Sequence, residues 1–325
     1  MMKKKVHSVE ELLERVKDML SLKLINGVRA GQLPITVKDI HRPGLALAGF
    51  VQNYLNERIQ IFGETEILYL NTRTPEERRK ATRHLFVMPL VCIIITRSLE
   101  PPQELIDGTR EHGVPLLQTS MLTTPFIHEL TKYLDDVFAP TKTIHSTLVD
   151  VYGVGLLFTG RSGIGKSEIA LDLIERGHRM VADDTVLVKR TADDVLIGRG
   201  HGHLKHFMEI RGLGIVNVQD LFGIRSIRIQ KRIEVEVNLR DWDQNKDWER
   251  EGLEGQHSNI LGVEIPQVVV PIFPGKNITV ISEVIAMNHM LKVYGIDAAK
   301  RFNRMLIDQM QSDRQTRHYL RYDTE

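Results

Sequence analysis

Two stretches of this chain hold side chains that could do chemistry together. Gly160-Arg161-Ser162-Gly163-Ile164-Gly165-Lys166-Ser167 is a complete G-x-x-x-x-G-K-S pattern. In such a loop the glycines let backbone N–H groups close on phosphate oxygens, the lysine neutralises the β- and γ-phosphates and the serine ligates magnesium. With four positions specified, a random chain of this length matches roughly one time in a hundred. Further on, Asp183-Asp184 sets two carboxylates side by side. One can stay ionised beside magnesium while the other takes the proton from an attacking hydroxyl. The plainer reading is a turn, because Thr185-Val186-Leu187-Val188 continues with β character and Asp-Asp is common in turns. Beside the glycine loop, the pair favours phosphoryl transfer from a nucleoside triphosphate.

The elements needed to position these groups are legible. Val154 to Thr159 suits a buried strand, and Ile169, Leu171, Leu173 and Ile174 give the following segment helical spacing up to Gly177, a C-cap. Strand, loop and helix together aim a helix N-terminus at the phosphates. Met180-Val181-Ala182 reads as a second strand, which in a parallel sheet delivers Asp183 and Asp184 to the carboxyl edge where ligands bind. The segment from Met208 to Asn217 combines Glu209, Arg211, Gly212, Gly214 and Asn217; it is either a close-approach ligand segment or a plain turn. Asp241 to Arg250 is polar and loop-like, either a mobile lid or a solvated surface. His145 taken alone is a packed histidine near a strand.

The N-terminal half alternates strand and helix without a catalytic constellation. Ser8-Val9-Glu10-Glu11 reads as a capping box, Thr74-Pro75 opens a helix, Leu90 to Thr96 is a buried strand, Pro101 to His112 is helical and a short strand follows at Val114 to Leu117. A last helix opens at Thr124-Pro125, and Ala139-Pro140 ends it. Arg42-Pro43-Gly44 reads as structural punctuation. The expected architecture is α/β: an N-terminal α/β domain with a largely parallel sheet at 1–138, a linker at about 136–142, and a C-terminal P-loop kinase domain at 139–325.

Composition sets the bounds. Apolar residues make up 42% and charged residues 26%, as in globular proteins, and 43 basic against 42 acidic residues leave no excess that favours nucleic acid or an anionic membrane. The single cysteine, Cys92, sits in an apolar run and reads as core. The start of the chain lacks the apolar stretch of a secretory signal, no run is long enough to cross a bilayer, and a cytoplasmic setting is expected.

Taken together these residues resemble the HPr kinase/phosphorylase family. The likeness runs from Ile144-His145 through the glycine loop to Asp183-Asp184, then through the Met208–Asn217 segment, Trp248-Glu249-Arg250-Glu251-Gly252 and Pro271-Ile272-Phe273-Pro274-Gly275-Lys276-Asn277. The N-terminal half, including Arg42 to Gly49, is similar more loosely. The resemblance implies catalytic positions at His145, Lys166, Asp184 and Arg250, magnesium at Ser167 and Glu209, and supporting positions at Asp183, Arg211, Gly212, Gly214, Asn217, Pro271, Pro274, Gly275 and Lys276. It further implies ATP and Mg2+ as cofactors, the phosphotransferase carrier HPr as substrate, and a homo-hexamer. Phosphate would pass from ATP to an HPr serine, and inorganic phosphate would remove it to give pyrophosphate. Asp184 would be the base in one direction and the acid in the other. The family usually reads Pro-Val-Arg-Pro-Gly-Arg where this chain has Pro271 to Lys276, so an anion-binding arginine is missing at Phe273. That bears on the phosphorylase direction.

Three other readings compete. Asp220-Leu221-Phe222-Gly223 and Asn245-Lys246-Asp247 mimic a GTPase, but Trp248 stands where the guanine-reading aspartate must be. A P-loop kinase of small metabolites would share the loop chemistry and differ in its acceptor. A non-catalytic nucleotide sensor would not need Asp184. Helices at Ser282 to Tyr294 and Asp297 to Met310 carry a broad apolar face that fits either subunit contact or core.

Overall fold

The computed structural model describes residues 7–26, 34–191, 193–200, 206–243 and 255–320. The chain divides into two compact units, Met1–Ala139 and Pro140–Glu325.

In the first unit, a five-stranded sheet runs in the order Leu22–Asn26, Leu116–Thr119, Ile93–Ile95, Ile59–Phe62, Ile40–His41. Only the Leu22–Asn26 edge pairs antiparallel; the rest is parallel. Its central strands are buried because both faces are covered: Ile93–Ile95 is wholly apolar, and Ile59–Phe62 is apolar but for the buried Gln60. Val9, Leu12, Phe126 and Leu130 close one face and Leu70, Leu85 and Leu105 the other. The Ser8 capping box forms, with the Ser8 hydroxyl accepting from the Glu11 N–H at 3.0 Å and Glu11 accepting in return from the Ser8 N–H. Cys92 is fully buried, and burial pushes its thiol up to about 12. It is core, as its apolar context indicated.

In the second unit, a six-stranded sheet has the order Arg179–Ala182, Thr147–Val151, Val154–Thr159, Val235–Asp241, Val263–Ile272, Gln256–Ile260. The expectation that Met180 to Ala182 belongs to a parallel sheet needs correction: this edge strand pairs antiparallel with Thr147–Val151, which itself runs antiparallel to Val154–Thr159. Two reversals restore the direction, so Asp183 and the glycine loop still leave the sheet at the same edge. A four-stranded antiparallel sheet, Gln230–Arg232, Leu196–Gly200, Thr185–Arg190, Thr141–His145, continues the chain beyond Asp184. The helix after the loop, Lys166–Glu175, buries Ile169, Ala170, Leu173 and Ile174 against Leu156 and Phe158 of the sheet. The C-terminal helices span Ile278–Val293 and Ala298–Leu320. Among the described residues no helix is long and apolar enough to cross a membrane.

Candidate active site

The glycine loop leaves the strand Val154–Thr159 and enters the helix Lys166–Glu175. Gly160, Gly163 and Gly165 have φ of 147°, 76° and 105°, backbone that side-chain-bearing residues rarely adopt. Space reinforces conformation at two of them. A Cβ at Gly160 would meet the Leu239 carbonyl oxygen at 2.7 Å, and one at Gly163 would collide with the Arg211 guanidinium. The Arg211 guanidinium therefore lies against the loop at Gly163, while the residue as a whole stays exposed. Lys166 is buried, and its ammonium donates to the carbonyls of Gly160 at 3.3 Å and Arg161 at 3.2 Å. Arg161 grips Asp241 through two hydrogen bonds of 2.6 and 2.8 Å, a paired geometry that ties the loop to the end of the neighbouring strand.

The two aspartates occupy different environments. Asp183 accepts from the Ser167 hydroxyl at 2.8 Å and from Thr147 at 2.5 Å. Burial raises its carboxyl above the usual range, and the two hydroxyls oppose that shift. Asp184 points outward, its side chain 73% exposed, with Nδ1 of His145 3.0 Å from its carboxylate. Its backbone is left-handed, φ 62°, a conformation asparagine and aspartate tolerate better than most. The antiparallel ladder that sets His145 opposite Thr185, together with the Ser146 N–H on the Asp184 carbonyl at 3.1 Å, holds the turn in place. Strained backbone of this kind clusters at working sites.

Glu209 lies exposed on the strand Phe207–Ile210, which forms a hairpin with Gly214–Asn217, while its neighbour Met208 enters the core shared with the Lys166–Glu175 helix. Gly212 and Gly214 supply the positive φ that the hairpin turn requires. Asn217 has a local job: its side chain caps the short helix Val218–Phe222 by accepting from the N–H groups of Gln219 and Asp220. Asp220 and Gly223, the GTPase-like pair, lie in and just after that helix. Pro271 ends beside Lys276, whose ammonium donates to the Pro271 carbonyl at 3.0 Å and sits 5.2 Å from the centre of the Phe273 ring. Phe273 in turn meets Trp242 edge to face at 5.2 Å. Pro274 and Gly275 complete this loop, both exposed. Arg250, the surrounding Trp248 to Gly252 stretch and Asn245 to Asp247 lie outside the described residues.

Ser167 and Asp183 present a hydroxyl and a carboxylate at the mouth of the glycine loop. Magnesium is usually held by one or two such oxygens plus substrate phosphates rather than by a protein cage, so this donor set fits it. No cluster of three or more His, Cys, Asp or Glu suited to a metal occurs among the described residues. Thr147 and Asp241 were not foreseen. Each touches its partner across a long stretch of chain, and local spacing carries no trace of such a contact.

Comparison with known proteins matches both halves of the chain. The family model described as HPr Serine kinase C-terminal domain matches residues 136–306, and that described as HPr Serine kinase N terminus matches 8–134. The chain is 49% identical over 310 residues to an HPr kinase/phosphorylase of Chloroherpeton thalassium, covering 95% of this chain and 91% of that one. It is 43% identical over 296 residues to one from Bacillus cereus strain B4264, covering 90% and 96%. Among solved structures, the Hpr(Ser) kinase/phosphatase from Coxiella burnetii matches at 32% identity and a TM-score of 0.44, over 50% of this chain and 98% of that one.

Proposed function

This chain belongs to the HPr kinase/phosphorylase family, and on that premise we propose that it uses magnesium-ATP to phosphorylate a serine of HPr, and so regulates carbohydrate use through the phosphotransferase system. The observation that carries the reading is the division of labour between adjacent acids: Asp183 buried and bonded to Ser167, Asp184 exposed and paired with His145. We assign Asp183 and Ser167 to the metal side of the donor phosphates, with Glu209 on the nearby hairpin as a further candidate. Lys166 and the backbone of residues 160–167 take the phosphates, and Arg211 lies against the loop where charge develops. Asp184 orients and deprotonates the acceptor hydroxyl, with His145 fixing its carboxylate. Arg250 stays in the proposal as a family position. The small-metabolite kinase and the nucleotide sensor share the loop but not a protein acceptor. Phosphotransfer from ATP to purified HPr, abolished by chelating magnesium, separates this reading from both.

In the reverse reaction inorganic phosphate must sit in line with phosphoserine near Asp183, Asp184 and Glu209. A guanidinium can hold phosphate through two parallel hydrogen bonds. Phe273 has none to offer, and Lys276 already spends one on Pro271. We therefore propose an enzyme biased towards phosphorylation. Phe273→Arg is expected to raise phosphorolysis at limiting phosphate several-fold more than it raises phosphorylation, read as initial rates of pyrophosphate release against HPr phosphorylation. Equal changes in both directions would contradict the bias.

We also propose that the C-terminal helices make subunit contacts. Val284, Met287 and Leu291 on one helix, and Phe302 and Met305 on the other, are 44–61% exposed in the single chain, more apolar surface than a lone subunit gains by showing. A homo-hexamer at micromolar concentration is the expected sedimentation result; a monomer would remove the proposal.

A further inference from the structure

The first unit carries a concavity to which phosphotransfer assigns no role. A pocket of about 330 Å³ opens at the edge of its five-stranded sheet, a volume within the range of small-ligand sites. Its floor is formed by Ser98, just past the strand Ile93–Ile95, by Thr119 and Ser120 at the end of Leu116–Thr119, and by Ser21, just before Leu22–Asn26. The last of these strands runs antiparallel to its neighbour, with Leu22 opposite Thr119, so all three meet at the carboxyl edge of the parallel strands.

Topology singles out this place. The helix after Ile93–Ile95, Gln103–Glu111, packs Leu105 on one face of the sheet, whereas the helix after Leu116–Thr119, Thr123–Phe138, packs Phe126 and Leu130 on the other. Neighbouring strands whose connections part to opposite faces leave a crevice at their carboxyl ends, and open α/β sheets bind ligands there. The floor is also held in an unusual shape. Ser21 and Ser98 have left-handed backbone, φ 48° and 50°. The Ser98 N–H donates to the Thr119 carbonyl at 2.9 Å, and the Thr119 hydroxyl donates to the Leu20 carbonyl at 2.6 Å. Serine seldom adopts such angles, and strain of this kind gathers at working sites.

Charge sets the sign of the ligand. Lys17, at the C-cap of the helix Val9–Val16, and Lys23, opposite Gln118 in the ladder, both line the pocket. Among the described residues neither ammonium forms an ion pair, and Asp18 is the one acid in the lining. Two ammoniums against one carboxylate leave a net positive charge. The hydroxyls of Ser21, Ser98 and Ser120 can each donate. Gln118 donates its amide nitrogen to the Leu99 carbonyl at 2.9 Å, which leaves the amide oxygen to accept from a ligand hydroxyl. A tetrahedral oxyanion has more acceptor oxygens than a carboxylate and so answers this many donors better.

We propose that this pocket binds a small hydroxylated phosphomonoester, its phosphate between Lys17, Lys23 and the serine hydroxyls and its hydroxylated end towards Gln118.

The test is site-resolved reductive methylation of the full chain, read lysine by lysine by peptide mass spectrometry, in phosphate-free buffer at constant ionic strength. The added solutes are glycerol 3-phosphate, glycerol and succinate. With glycerol 3-phosphate about tenfold above a millimolar Kd, mass action leaves about a tenth of the sites open, so methylation of Lys17 and Lys23 should slow about five- to tenfold. Lys80, exposed on the helix Pro75–Leu85, should react at an unchanged rate. Glycerol should protect neither pocket lysine, and succinate should protect them much less than the phosphomonoester. Lys17→Glu and Lys23→Glu change exposed positions, and each should abolish protection of the lysine that remains while the Tm holds. Should either variant melt early, the comparison of the three solutes on wild type still decides. Equal protection by succinate would overturn the phosphomonoester assignment. No slowing at Lys17 and Lys23, slowing at Lys166 alone, or protection that survives in both variants would overturn the site.

Discussion

Asp184→Asn will lower the rate of HPr phosphorylation by about two to four powers of ten, the scale of a positioned general base, and will leave ATP affinity nearly unchanged. The geometry separates this residue from its neighbour. Asp183 is committed: it is buried and accepts from Thr147 and Ser167. Asp184 is 73% exposed, touches His145 and is held by a left-handed turn, so its carboxylate can meet a hydroxyl carried in by another protein. Asparagine keeps the shape and the tolerance for that backbone while removing the basic oxygen. Steady-state rates and ATP titrations on one preparation check this. A wild-type rate in Asp184→Asn would remove it from the mechanism, and a matching loss of ATP binding would place it among the donor contacts.

Lys166→Met is expected to reduce transfer by about three powers of ten, because a charge placed where the transition state gathers negative charge is removed from a low-dielectric site. Stability should move the other way or not at all. The Lys166 ammonium is buried with two carbonyl oxygens at 3.2 and 3.3 Å as its partners, and such burial costs folding free energy that methionine of similar length avoids. Thermal melts without nucleotide should therefore show an equal or higher Tm. A variant that loses activity together with several degrees of Tm would mean that Lys166 is chiefly structural.

What the sequence disclosed and what it hid divide by range. Gly160 to Ser167 could be read because the phosphate-binding requirement is local: three glycines with positive φ, then a lysine and a serine at the start of a helix. The Ser8 box and the Thr74-Pro75 start were legible for the same reason, and both caps form. The pairing partner of Arg179–Ala182 was not legible, since an apolar run carries no mark of which neighbour it will pair with. Asp241 was read into a polar loop, yet it ends the strand Val235–Asp241 and fixes Arg161. A charged residue at an exposed strand end looks the same in sequence as one in a loop. Asn217 was grouped with ligand-facing residues through the family pattern, whereas asparagine just before a short helix also signals an N-cap. The segment from Met208 to Asn217 does form the hairpin turn that one of its two readings required, and it also lays Arg211 against Gly163, a contact that local spacing could not disclose.

The central claim is that the acceptor is a serine of HPr. The most direct measurement is mass spectrometry of purified HPr after incubation with this protein, ATP and magnesium. One phosphate on a single serine is the predicted result, reversed on adding inorganic phosphate with release of pyrophosphate. Unmodified HPr alongside active nucleotide binding would contradict the account.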